Sequence, residues 1–280
     1  MKIEFRLRGE WMGECDHIRL EDVSMAFGRR EVFTGLNSCF PRGQISVILG
    51  GSGSGKSTVL KIIGGLVRPH SGQVWVDEEN ITQLKERQLY QVRRRIGMMF
   101  QGGALLDSLT VFENLAFPVR EHTKLGEDEI ASRVRRCLEA VGLNDVEDLL
   151  PGQLSGGMTK RVALGRALMM EPVILLCDEP FSGLDPISIR RIEQLLMRIN
   201  EEFSITIVVV SHHIPSTLRM AEQVLLMLPG ATVAGSPKEL LAHDDDRVRG
   251  FLHEDFGGDP DLQVESIEGS HGEKNWSRSW

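Results

Sequence analysis

The chain has 280 residues, 26% of them charged and 41% hydrophobic, with a formal net charge of −8. That length allows one large α/β domain with an elaboration and a sizeable core. The acidic balance argues against a protein that works by coating nucleic acid, so no nucleic-acid partner is expected. Four scattered cysteines, Cys15, Cys39, Cys137 and Cys177, form no C-x-x-C pair. They suggest neither a zinc site nor a secreted disulfide framework, and a reducing compartment is expected. No basic-then-apolar leader is read at the N-terminus, and apolar runs such as ITIVVV (205–210) are far shorter than the ~20 residues of a membrane helix. Work at a membrane would therefore need a partner.

In chain order, the first strong signal is QISVILG (44–50), a short apolar run that reads as a buried strand. It runs into GGSGSGKS, which fits G-x-x-x-x-G-K-[ST] at Gly50, Gly55, Lys56 and Ser57, and TVLKIIGGL beyond it reads as a helix. Strand, glycine loop and helix in that order predict an ATP cradle over Gly50, Gly51, Ser52, Gly53, Ser54, Gly55, Lys56, Ser57 and Thr58. Backbone N–H groups of residues 53–57 would converge on the β-phosphate, helped by the helix N-terminus. Lys56 would reach the β- and γ-phosphates and the Ser57 hydroxyl would ligate Mg2+.

VRRR (92–95) has two readings, a solvated helix face or a surface for an anionic partner. From about 103 to 166 the texture is helical, with Ile130, Val134, Leu138 and Val141 at three- and four-residue steps in EDEIASRVRRCLEAVGL. This region is expected to be a helical subdomain inserted into the α/β core. LSGGMTKRVALGRAL (154–168) places Ser155, Gly156 and Gly157 at a helix start, a second phosphate cradle.

VILLCDE (173–179) and ITIVVVSH (205–212) are further strand-like runs whose ends are polar, where parallel sheets collect ligands. A phosphate loop needs a carboxylate across the sheet, and Asp178 would hold Mg2+ through water. Glu179, one residue on, would orient and deprotonate the attacking water; the competing reading is that both acids cap a turn before Pro180. His212 would hydrogen-bond the γ-phosphate beside Glu179. From about 255 the sequence turns polar and is expected to form a flexible tail over 255–280, in which Trp276 and Trp280 could dock on a partner.

One phosphate loop leaves a side of the γ-phosphate open. A second cradle on a separate subdomain would be too distant to close it in the same chain, so a two-fold dimer with each clamp on the partner's ATP is the simplest geometry.

Together the phosphate loop, LSGG, LLCDEP, SGLD and SHH resemble the ATP-binding subunits of ABC transporters over about residues 15–252. The resemblance implies a P-loop NTPase core, a mostly parallel sheet flanked by helices, with a small N-terminal β subdomain and a boundary near 254. It implies that Gln101 touches Mg2+ and relays nucleotide state, that Phe27 stacks on adenine, that Ser155, Gly156 and Gly157 bind γ-phosphate in trans, and that Asp185 lies on the dimer seam. Met158 stands where the family usually has Gln, and His213 where Asp commonly follows the switch histidine. A narrower resemblance, carried by residues 89–123 with LSGGM and DEPFSGLDPI, is to ATPases of Mla phospholipid transporters. It implies an MlaE-like permease dimer, a periplasmic Mce-domain (MlaD-like) protein, a small STAS-domain (MlaB-like) protein and a place at the cytoplasmic face of the inner membrane. The rivals are an importer or exporter ATPase for another cargo and a soluble, non-transport ABC ATPase.

Overall fold

The computed structural model describes residues 16–254; Cys15 and the stretch 255–280, with Trp276 and Trp280, lie outside it. In chain order the elements begin with β1 (Asp16–Phe27), β2 (Arg30–Pro41), β3 (Ile45–Gly50), α1 (Lys56–Ile63), β4 (Ser71–Val76) and β5 (Glu79–Asn80). They continue with α2 (Glu86–Arg93), β6 (Ile96–Met99), α3 (Val111–His122), α4 (Glu127–Ala140), α5 (Gly156–Leu168) and β7 (Ile174–Asp178). After these come α6 (Pro186–Phe203), β8 (Thr206–Ser211), α7 (Ile214–Met220), β9 (Gln223–Leu228), β10 (Ala231–Gly235), α8 (Pro237–Leu241) and α9 (Asp246–Glu254).

A six-stranded sheet in the order β10-β9-β3-β8-β7-β6 is parallel except for β10. Its strands β3, β7 and β8 are buried at every residue, which is why each reads as an unbroken apolar run rather than an alternating one. The period-two alternation survives in what each face touches. On β8, Ile207 and Val209 join Leu115 of α3, Val134 of α4, Val162 of α5 and Leu196 of α6, while Val208 and Val210 join Leu60 of α1, Leu20 of β1 and Val74 of β4.

The second sheet is antiparallel, in the order β2-β1-β4-β5. It is pinned to the base of the first by His17, which is almost fully buried, with Nδ1 2.7 Å from the Thr206 hydroxyl at the start of β8 and Nε2 3.3 Å from Asp77. Helix α4 buries Ile130, Val134, Cys137 and Leu138 against α3 and α5, the face its sequence spacing predicts. Helix α3 is started by Thr110, which accepts from the Glu113 N–H while Glu113 accepts from the Thr110 N–H.

The arginine run makes contacts that neither of its readings included. Arg93 donates to the Gly65 carbonyl and pairs with Glu86, Arg94 donates to the His122 carbonyl, and Arg95 pairs with Asp77 and Glu79. The run ends α2 and leads into β6, and its side chains tie neighbouring segments together while Arg94 remains exposed.

Candidate active site

The register aligns the carboxyl ends of the central strands: Leu49 lies opposite Ser211, Asp178 opposite Val210, and Met99 opposite Cys177. Gly50, Asp178, Glu179, Ser211 and His212 therefore arrive at one edge, where open parallel sheets bind ligands.

The phosphate loop leaves β3 through glycines whose conformations other residues resist, with φ of 155° at Gly50, 79° at Gly53 and 97° at Gly55. Space is also limiting. A Cβ on Gly50 would stand 2.6 Å from the Met227 carbonyl oxygen, and one on Gly55 would stand 2.7 Å from Val32 Cγ1. Gly51, Ser52 and Gly53 are exposed, and α1 begins immediately after Gly55, so its first N–H groups face the loop without intrahelical acceptors. Lys56 is buried and folds back to donate to the Gly50 and Gly51 carbonyls at 2.8 and 2.9 Å. Burial lowers its pKa, against which the Glu179 and Asp178 carboxylates act to keep the ammonium charged. Ser54 Oγ is buried with no hydrogen-bond partner among the described residues. A loop with a retracted cation, an orphaned hydroxyl and free helix N–H groups is chemically matched to a polyphosphate.

The Ser57 hydroxyl donates to Asp178 Oδ1 at 2.8 Å, and Glu179 Oε2 lies 2.9 Å from His212 Nδ1. Two carboxylates on consecutive residues thus serve different neighbours, Asp178 on the loop side and Glu179 toward the next strand. Glu179 reaches its position through a left-handed backbone, φ 51°, an unusual state for a residue with a side chain. Its carboxylate is mostly buried while the His212 ring is open to solvent, so the pair sits at the mouth of the site. The oxygen donors of Ser57 and Asp178 fit Mg2+, and among the described residues no cluster of three or more His, Cys, Asp or Glu is placed to hold a metal. A metal here would therefore take most of its ligands from phosphate and water. Gln101 follows β6 on the same edge and is exposed, and no hydrogen bond joins it to Ser57 or Asp178.

The second cradle is built without strain. Ser155 caps α5 by accepting from the Met158 N–H at 3.3 Å, and Ser155 and Gly156 are exposed. Its surroundings are the segment after β7: Gly156 lies by Leu184, and Gly157 by Ser188. Asp185 begins α6, accepting from the Ile187 and Ser188 N–H groups at 3.0 Å and from the Ser188 hydroxyl, bonds that hold its carboxyl below the usual range. Phe27, at the end of β1, is 57% exposed. His213 caps α7, accepting from the Ser216 N–H at 3.1 Å.

Two residues of α5 escaped the sequence reading. Lys160 is buried and donates to the Glu179 carbonyl at 3.0 Å and the Ser182 hydroxyl at 3.2 Å. Arg166 donates to the Gly103 and Ala104 carbonyls, 2.9 and 2.8 Å away, and so fixes the loop after Gln101. The available signal was a cation at an apolar-face position, since Lys160 lies three and four residues before the buried Ala163 and Leu164.

The ABC transporter family model matches residues 33–182. The chain belongs to the ABC transporter family. This ABC protein is 43% identical over 236 residues to the intermembrane phospholipid transport system ATP-binding protein MlaF of Escherichia coli strain K12, covering 84% of the chain and 88% of that protein. It is 40% identical to a probable ribonucleotide transport ATP-binding protein, mkl, of Mycobacterium leprae, covering 84% of the chain and 68% of that protein. Among solved structures it resembles a dimeric ATP-binding cassette in a post-hydrolysis state bound to ADP and Pi, with TM-score 0.73 and 33% identity over 79% of this chain and 98% of that one. The ABC protein is accordingly an ATPase with the ABC ATPase fold.

Proposed function

We propose that the chain is the ATP-hydrolysing subunit of a transporter that moves phospholipids between inner and outer membranes and so maintains outer-membrane lipid asymmetry. The catalytic assignment rests on one arrangement, Asp178 on Ser57 and Glu179 on His212 across adjacent strand ends. Lys56 leaves the loop carbonyls for the β- and γ-phosphates, and the N–H groups at the start of α1 hold the β-phosphate. Ser57 and Gln101 would hold Mg2+, with Asp178 acting through water, and the bound ion would supply positive charge to offset that of the phosphates. Glu179 takes the proton of the attacking water, and His212 holds that water and the γ-phosphate in line. Phe27 stacks on adenine.

Ser155, Gly156 and Gly157 close over the ATP of a second copy, and Asp185 lies on the seam between copies. The dimeric cassette of similar fold supports this reading, as does the exposure of Ser155 and Gly156, whose neighbourhood is Leu184 and Ser188. Helices α3 to α5 form the subdomain, about 103–166 within a domain of 15–254, that passes closure to the permease. Among the described residues no helix is long and apolar enough to cross a membrane. Attachment at the cytoplasmic face of the inner membrane would run through an MlaE-like permease dimer, with Mce-domain (MlaD-like) and STAS-domain (MlaB-like) partners. Likeness to MlaF supports phospholipid as cargo; likeness to mkl keeps another transported cargo as the second reading.

The test is ATPase activity of the complex purified from membranes, reconstituted in lipid nanodiscs with its partners identified, against the isolated subunit. Stimulation in a complex containing a permease and an Mce-domain protein is expected. Recovery of a solute-binding protein instead would move the cargo assignment, and full activity with no membrane partner would overturn the transport reading.

A further inference from the structure

Helix α5 carries the second cradle at its first residues and, one turn on, a lysine whose surroundings give it no ordinary reason to be there. Lys160 is 5% exposed, yet the atoms it touches are uncharged, the Glu179 carbonyl and the Ser182 hydroxyl. Burial lowers its pKa, opposed by the nearby Glu179 and Asp178 carboxylates. A buried cation on neutral acceptors is a poor way to stabilise a helix that an aliphatic side chain would pack as well. What the cation does is hold one peptide. The Glu179 carbonyl also accepts from the Ser182 hydroxyl at 3.0 Å and from the Ser182 N–H at 3.3 Å. The same residue's N–H donates to Val210 at 2.9 Å. Both ends of a left-handed residue are thereby fixed, and its carboxylate is aimed at His212.

We propose that Lys160 is a positioning residue for hydrolysis, through which α5 sets the backbone, and hence the carboxylate, of Glu179. The inference rests on Glu179 being the general base. It has a mechanical consequence. Lys160 stands four residues, about 6 Å of helix, from Gly156, so a displacement of the second cradle is transmitted to the catalytic peptide of the same chain. When the cradle of one copy engages its partner's ATP, it thereby sets the geometry of Glu179 in the copy that carries the cradle.

Steady-state ATPase and equilibrium binding of a fluorescent ATP analogue, on the full chain in its transporter complex, test this with Lys160→Met, Ser182→Ala, Glu179→Gln and the double variant Lys160→Met/Glu179→Gln. Lys160→Met should lower kcat about tenfold or more with KM and analogue affinity within twofold. In the Glu179→Gln background it should change the residual single-turnover rate by less than twofold, because the group it positions is already disabled. Ser182→Ala leaves the lysine in place and should lower kcat a fewfold with KM unchanged. If Lys160→Met does not fold, Ser182→Ala decides alone. Wild-type kcat in the folded single variants, or an equal loss in both backgrounds, overturns the proposal. Normal turnover of Glu179→Gln would instead refute the assignment of the base, and the two failures are distinguishable.

Discussion

Helices α1 and α5 both open on glycines and serine, yet their glycines are there for opposite reasons. In the first cradle the chain itself forbids anything larger: Gly50 and Gly55 have positive φ, and their would-be Cβ atoms collide with the Met227 carbonyl and with Val32 and Phe33. In the second, Gly156 has ordinary helical geometry and a Cβ there would meet only Leu184 Cδ2 at 3.6 Å, normal contact. Among the described residues nothing crowds a side chain at 156, so packing does not require glycine there. The bare, exposed backbone is what the proposed phosphate of another copy would use.

The comparison is broken most severely by Gly50→Ala. A backbone oxygen at 2.6 Å cannot rotate away and φ of 155° is hard for alanine, so a loss of about 3 kcal/mol in unfolding free energy is expected, together with loss of ATP binding. Urea titration of the nucleotide-free chain checks it; an unchanged midpoint would mean that the loop is free to adopt another path.

Gly156→Ala separates the two cradles. Alanine suits a helix better than glycine, so stability should hold or rise by a few tenths of a kcal/mol, and ATP binding to one subunit should be unaffected. Turnover of the complex should nevertheless fall about tenfold. Normal turnover would show that no phosphate reaches the second cradle, and the trans reading would be lost.

Much of this contrast was legible in the sequence, for a physical reason. Strands buried on both faces are written as unbroken apolar runs, and the expected 44–50, 173–179 and 205–212 lie within one residue of β3, β7 and β8 at each end. Their ends then located Asp178, Glu179 and His212 together. The antiparallel sheet was harder to read from residues alone. β1 changes register against β2 between Leu20 and Val23 and again around Met25, which breaks the alternation that marks a half-buried strand. Lys160 was invisible as a working group because the group it holds, the Glu179 carbonyl, is main chain and leaves no trace in side-chain identities. The contacts of the arginines at 93–95 were equally hidden, since Arg93 and Arg94 reach the main-chain carbonyls of Gly65 and His122 and Arg95 reaches Asp77, eighteen residues away.

The smallest expected effect sharpens the comparison through pH. The antiparallel sheet presses Val32 and Phe33 on Gly55, and so backs the first cradle but not the second. His17 fastens that sheet to β8. Burial, helped by Arg42 and Arg95 and opposed by Asp77, pushes its pKa down to about 4 from the ordinary 6.5. Between those values the unfolded chain binds more protons than the folded one, so stability is fully present above about pH 6.5 and is lost as pH falls toward 4. Lowering pH from 7 to 5.5 should cost about 1 kcal/mol through this group. Other carboxylates and histidines also titrate in this range, so the measurement is the difference between wild type and His17→Gln in urea unfolding at the two pH values. The wild type should lose about 1 kcal/mol more than the variant. Equal losses would mean that the buried ring accepts its proton as readily in the folded chain as in the unfolded one, and the burial of His17 would not account for the pH dependence.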